Sequence, residues 1–229
     1  MISVRIEIVV QATNGRLEAM FTDRHTRLLD ARLYLVCDAI SDDRLESALR
    51  GGVDIVQLRM KDADDDAILD AAARFKRVAA EYDALFVLND RPDLALLADA
   101  DGVHVGQDDM SAAEARAVIG ADRILGLSTH TAQDVDGVQS DTIDYIGVGP
   151  VYATPTKPGR AAVGAPLVSY AALSATVPFF AIGGINQDNV EAVIAAGATR
   201  LAVVRAIRDA DDPEQAARAL KSEVTVGAT

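Results

Sequence analysis

The chain has no tryptophan, a single cysteine and only 4% aromatic residues among its 229. The lone Cys37 excludes an intrachain disulfide and a disulfide-stapled secreted scaffold. Scarce aromatics predict a core built from Ala, Val, Leu and Ile. No apolar run approaches the roughly 18 residues needed to cross a bilayer. Arg5 and Glu7 interrupt the apolar stretch at the amino terminus, which argues against a signal peptide. A cytoplasmic location without membrane attachment is therefore expected. Lysine is also scarce, at 4 against 18 Arg, and Glu numbers 8 against 27 Asp. The net charge of −13 argues against nucleic-acid binding by phosphate neutralisation. So acidic a surface repels itself at low salt, which fits a salt-adapted, acidic proteome, against the alternative of an ordinary acidic surface.

What the sequence has is repetition. From residue 33 onward, eight short apolar runs alternate with helix-length amphipathic stretches. The runs are Leu33–Cys37, Asp54–Leu58, Leu85–Leu88, Gly102–Val105, Ile124–Leu127, Tyr145–Val148, Phe179–Ile182 and Leu201–Val204. Their near-continuous apolar character suits parallel strands buried on both faces. Eight such units predict one α/β domain, a (β/α)8 TIM barrel over 33–229, with helices between the strands. Ser111 and Glu114 have capping-box spacing, and Thr131 and Asp188 are candidate N-caps. Residues 1–32 form a separate N-terminal extension. Val4, Ile6 and Ile8 alternate like a strand, while 11–31 is polar and without period. An added strand and loop, a flexible extension and a true start at Met20 are all compatible with it.

Barrels of this kind do chemistry at the carboxyl ends of their strands. There the chain places Gln57, Arg59 and Lys61, whose spacing by two puts them on one face, opposite Leu58 and Met60. Two cations and an amide suit an anion such as a diphosphate; the alternative is ion pairing with Asp62–Asp66. Asn89–Asp90 and Asp108–Asp109 follow the next two strands. One or two carboxylates with phosphate oxygens are the usual Mg²⁺ arrangement, against the alternative of a turn and a solvated acid. Thr154-Pro155-Thr156-Lys157 lies in the long sixth loop, where hydroxyls and a lysine suit a carboxylate or phosphate, against the alternative of a plain turn. Gly183–Gly184 and Val204–Arg205 end strands seven and eight, the usual phosphate-binding position of this fold. Ser128 and His130 follow strand five without a third group at triad spacing, so Ser128 is assigned to substrate contact. His104 reads as a satisfied interior histidine and Cys37 as a buried thiol.

These segments stand in one order: Leu33-Tyr34-Leu35-Val36-Cys37-Asp38, Gln57-Leu58-Arg59-Met60-Lys61, Asn89-Asp90, Gly102 to Asp109, Gly126 to His130, Gly147 to Lys157, and Ala181 to Ile185. Over about residues 33–220 the chain closely resembles the thiamine phosphate synthase family. The resemblance implies a transferase joining amino-hydroxymethylpyrimidine diphosphate to a thiazole phosphate, or its carboxylated tautomer, with Mg²⁺-assisted, dissociative loss of pyrophosphate. It implies catalytic roles for Arg59, Lys61, Ser128 and Lys157. Gln57, Leu58, Arg59, Met60, Lys61, Asn89 and Ser128 would hold the pyrimidine diphosphate, with Lys157 on the diphosphate itself. Thr154, Pro155 and Thr156 would hold the thiazole substrate, and Gly184, Val204 and Arg205 its phosphate. Asp90 and Asp109 would bind Mg²⁺. The partners implied are small molecules, and a homo-oligomer is compatible with the sequence. Cys37 stands where Thr is frequent, Met60 where an acid is frequent, and the 32-residue extension is unusual. Two rival readings are a thiazole tautomerase using His130 and a non-catalytic phosphate- or vitamin-binding sensor.

Overall fold

The computed structural model describes residues 23–154 and 161–226. The alternating segment proposed at Val4–Ile8 lies outside the described residues. Eight strands close a barrel in which every neighbour is parallel and sequential. They are β1 Leu33–Cys37, β2 Ile55–Leu58, β3 Leu85–Asn89, β4 Gly102–Val105, β5 Ile124–Thr129, β6 Tyr145–Val148, β7 Phe179–Ile182 and β8 Leu201–Val203. The barrel shuts where Leu33 of β1 pairs with Leu201 of β8.

The helices follow the apolar periodicity that covers a sheet. In α3 (Asp65–Glu81), Ile68, Ala71, Ala72, Phe75, Val78 and Ala79 form the buried stripe, and the Asp64 carboxylate caps the first turn by accepting from Ala67 N. Burying Phe75 alone contributes about 2–3 kcal/mol. Before α5 (Ala112–Ile119), Ser111 and Glu114 form the expected capping box. Thr131 forms another with Asp134, and Gly137 ends that helix at Asp136. Asp188 does not cap α8 (Val190–Ala195). Asn189 occupies the cap position, its side chain turned to Asn186 N and Gly184 O.

Three features differ from the sequence reading. Residues 23–30 are a helix, α1, although 11–31 shows no helical period. Its Leu28, with Ala31 beyond it, joins Ile55, Leu85 and Ile124 to close the amino-terminal end of the barrel. Its polar side chains bind the same end: Arg24 Nε donates to Asp101 (3.1 Å), and His25 Nε2 lies 3.1 Å from Asp144. Second, β8 stops at Val203, and Arg205 begins a short helix, α9 (Arg205–Arg208). Third, three of the scarce aromatics meet on the barrel axis. Tyr34, Tyr145 and Phe180 pack edge to face at centroid separations of 5.4–5.9 Å, while Ala, Val, Leu and Ile dominate the layer between strands and helices.

Many of the aspartates have structural work. Asp54, Asp101 and Asp144 each precede an even-numbered strand and accept an N–H from a neighbouring strand: Leu33 (2.8 Å), Phe86 (2.9 Å) and Leu125 (2.7 Å). Each is also paired with a cation: Lys221, Arg24 with Lys76, and Arg116 respectively. Asp101 is only 6% exposed. Burial pushes its carboxyl up, but the charge of Lys76, the Phe86 N–H and Arg24 together hold it below the usual range.

Candidate active site

At the carboxyl ends of the strands the barrel opens into a cavity of about 330 Å³. Alternation along each strand decides what faces it. From β1 come Tyr34 and Val36, from β2 Gln57 with Arg59 and Lys61 beyond it, and from β3 Asn89 and Asp90. Leu58 points the other way and is wholly buried, and Met60 packs against the outer layer. Neither lines the cavity. His104, Gly106 and Asp109 come from β4 and its loop, Ser128 and His130 from the end of β5. Thr154, Gly183, Gly184, Val204 and Arg205 complete the rim. Pro155, Thr156 and Lys157 lie outside the described residues.

The charged rim is organised around Asp90. This residue adopts φ +62°, a left-handed conformation that aspartate tolerates better than most residues. Its N–H donates to His104 O at 2.8 Å, fixing the turn. Lys61 Nζ stands 3.2 Å from its carboxylate. Asp109 faces it, held by the Gly106 N–H at 2.8 Å. Burial, followed by hydrogen bonding to Asp109 and that residue's charge, raises the Asp90 carboxyl above its usual range, with Lys61 opposing. Two carboxylates this close favour a proton or a cation between them. The donors are hard oxygens, and the described residues contain no cluster of three or more potential metal-ligating acids, His or Cys. The pair therefore fits a magnesium ion completed by substrate oxygens and water rather than one caged by protein. Neither Arg59 nor Lys61 pairs with Asp62–Asp66. Asp64 caps α3 and Asp65 binds Arg91. The Arg59 guanidinium has no ion pair or side-chain hydrogen bond among the described residues.

On the opposite side, Gly183 (φ +105°) and Gly184 (φ +67°) carry the β7 loop along the rim. A Cβ on Gly183 would sit 2.5 Å from Pro150, and one on Gly184 2.7 Å from the Tyr152 Cβ. Only glycine permits this backbone course. The Asn189 amide donates to Gly184 O at 2.9 Å and pins the loop. His130 Nδ1 contacts the Gly149 carbonyl.

The floor of the cavity holds residues that the sequence reading missed. Gln57 Nε2 donates to Tyr34 Oη (2.6 Å), and Tyr34 Oη lies 2.9 Å from Tyr145 Oη. Tyr145 Oη lies 3.1 Å from His104 Nδ1, and His104 Nε2 lies 2.9 Å from Ser128 Oγ. His104 is thus interior and hydrogen-bonded, as expected, and also part of the cavity wall. Ser128 has a histidine partner after all, but a phenol rather than a carboxylate stands behind it. Burial pushes both phenols up, so they stay neutral. The signal in the sequence was position: Tyr34 and Tyr145 occupy inward-facing strand positions. Cys37 faces outward, 2% exposed, and burial pushes its thiol up, which makes it inert.

A family model described as thiamine monophosphate synthase matches residues 33–207. The chain belongs to the thiamine monophosphate synthase family. It is 46% identical over 88% of its length to a thiamine-phosphate synthase of Nostoc punctiforme, covering 58% of that protein. An Arthrobacter thiamine-phosphate synthase is 44% identical, with 88% of this chain and 98% of that one covered. Among solved structures, a thiamine phosphate pyrophosphorylase of Pyrococcus furiosus superposes with a TM-score of 0.80 at 31% identity, covering 87% and 98% of the two chains. The chain spans only about three-fifths of the length of several cyanobacterial relatives in this family.

Proposed function

We propose that this chain is a thiamine phosphate synthase: a transferase that joins amino-hydroxymethylpyrimidine diphosphate to thiazole phosphate and releases pyrophosphate. The observation that carries this reading is the meeting of Arg59 and Lys61 with the Asp90–Asp109 pair on one rim of a single cavity. The bond from the methylene carbon to the diphosphate oxygen breaks, and its electron pair leaves on pyrophosphate. The lone pair of the thiazole nitrogen then forms the new C–N bond; a carboxylated thiazole would lose carbon dioxide as well. Such a dissociative course needs charge neutralisation on the leaving group and no protein nucleophile. Arg59 supplies a fork for the diphosphate and Lys61 a point charge. Lys157 would add a third cation, and Thr154 and Thr156 would orient the thiazole.

Asp90 and Asp109 would hold Mg²⁺, which when bound supplies further neutralisation of diphosphate oxygens. Gln57, Asn89 and Ser128 would orient the pyrimidine. The glycine-bearing rim with Val204 and Arg205 would take the thiazole phosphate. The setting of such a reaction on small soluble molecules would be cytoplasmic; among the described residues no helix is long and apolar enough to cross a membrane.

The test is turnover by purified chain given both substrates. Magnesium-dependent release of pyrophosphate with formation of thiamine phosphate is expected. Tautomer exchange of the thiazole alone, or binding without turnover, would overturn the reading.

A further inference from the structure

The five side chains on the cavity floor form one continuous series of hydrogen bonds from β2 to β5. An amide nitrogen carries only hydrogens, so Gln57 Nε2 must be the donor in its 2.6 Å contact with Tyr34 Oη. The Gln57 nitrogen cannot accept, so Tyr145 is the one acceptor among the described residues for the Tyr34 hydrogen, and satisfying that hydrogen makes Tyr34 the donor across the 2.9 Å contact. Tyr145 gives its hydrogen to His104 Nδ1 at 3.1 Å. A neutral imidazole accepting at Nδ1 carries its proton on Nε2, and that N–H donates to Ser128 Oγ at 2.9 Å. Ser128 is left with its own O–H for the cavity it lines.

The backbone is shaped for this series. His104, Gly126 and Tyr145 stand at one level on β4, β5 and β6. A Cβ on Gly126 would lie 2.1 Å from the Tyr145 ring, so the absent side chain is what lets Tyr145 reach across to His104.

We propose that Tyr34, Tyr145 and His104 are positioning residues that relay the donor polarity of the Gln57 amide across the barrel and so fix Ser128 as a hydrogen-bond donor to the bound ligand. The identity of that ligand rests on the proposed function; the relay itself is a property of the ligand-free protein. It also explains why polar atoms are placed in the most enclosed part of the barrel, where a phenol without a partner would be costly.

The test is the tautomer of His104, read from long-range proton–nitrogen NMR spectra of the full chain labelled with ¹⁵N-histidine. The sequence has only 3 histidines, and the His104→Asn variant assigns the signal. In the ligand-free wild type, proton on Nε2 and a bare Nδ1 are expected. In Tyr34→Phe the polarity is no longer imposed, so a share of the Nδ1-protonated form appears. In that variant kcat falls roughly tenfold, the scale of one hydrogen bond, with KM for the pyrimidine diphosphate nearly unchanged. A wild-type His104 protonated on Nδ1 would overturn the relay, and so would an unchanged tautomer in Tyr34→Phe. The wild-type measurement stands even if the variant does not fold. An Nε2-protonated His104 in a protein that turns over nothing would sink the proposed synthase activity while leaving the relay intact.

Discussion

Lys61 Nζ lies 3.2 Å from Asp90 Oδ2, joining the end of β2 to the end of β3 across the cavity rim. The lysine side chain is 47% exposed, so the pair is worth at most about 1 kcal/mol and is readily exchanged for a better partner. In the proposed reaction that partner is the diphosphate, and Asp90 turns to the cation.

Asp90→Asn tests this assignment. Asparagine tolerates the left-handed backbone at φ +62° as well as aspartate does, and the change removes a carboxylate that burial and Asp109 already disfavour. The melting temperature should stay within about 3 °C of wild type, while kcat falls by roughly two orders of magnitude or more. Wild-type turnover in this variant would remove Asp90 from the metal role.

Asp101 is tested by pH. Its folded-state pKa is lowered, so its stabilisation is fully present above the unfolded carboxylate pKa of about 3.9 and is lost as pH falls through the lower folded value. Asp101→Asn leaves Arg24 and Lys76 without their partner at the barrel bottom, at a cost of about 2–4 kcal/mol near pH 7. Urea denaturation of both proteins should show that difference at pH 7 and a smaller one near pH 3. An equal difference at both pH values would contradict the assignment.

Gly126→Ala places a methyl group 2.1 Å from the Tyr145 ring. Overpacking of this kind costs about 1–3 kcal/mol. It also displaces the tyrosine hydroxyl from His104, so stability and the His104 tautomer should change together. Thermal melting and the NMR readout check the pair of effects, and a stable variant with an unshifted histidine would count against the packing described.

With a net charge of −13, screening of self-repulsion should raise the melting temperature between dilute buffer and molar potassium chloride. Equal melting temperatures would end the expectation of salt adaptation.

Strand positions were legible because buried parallel strands are apolar on both faces; all eight stand within a residue or two of where the sequence puts them. The inward spacing of Gln57, Arg59 and Lys61 was legible from the two-residue repeat. Helix α1 was not, because it buries little beyond Leu28 and spends Arg24 and His25 on aspartates far along the chain. No local period records such contacts. The aromatic floor escaped for a related reason. Composition says how few Tyr and Phe there are, not that closure of the barrel brings Tyr34, Tyr145 and Phe180 together. Likewise Asp54, Asp101 and Asp144 look like surface acids until the strand pairing shows whose N–H they accept. The meeting of His104 with Ser128, 24 residues apart, depends on the same β4–β5 pairing.

The central claim is that cations and carboxylates from separate strands share one mouth that steadies a departing diphosphate. Calorimetric titration of the purified chain with pyrophosphate, with and without Mg²⁺, tests it most directly. Binding should tighten by roughly tenfold or more when Mg²⁺ is present. That gain should vanish in Asp90→Asn, and Arg59→Ala should weaken binding under both conditions. Pyrophosphate affinity indifferent to Mg²⁺ and to both substitutions would contradict the account.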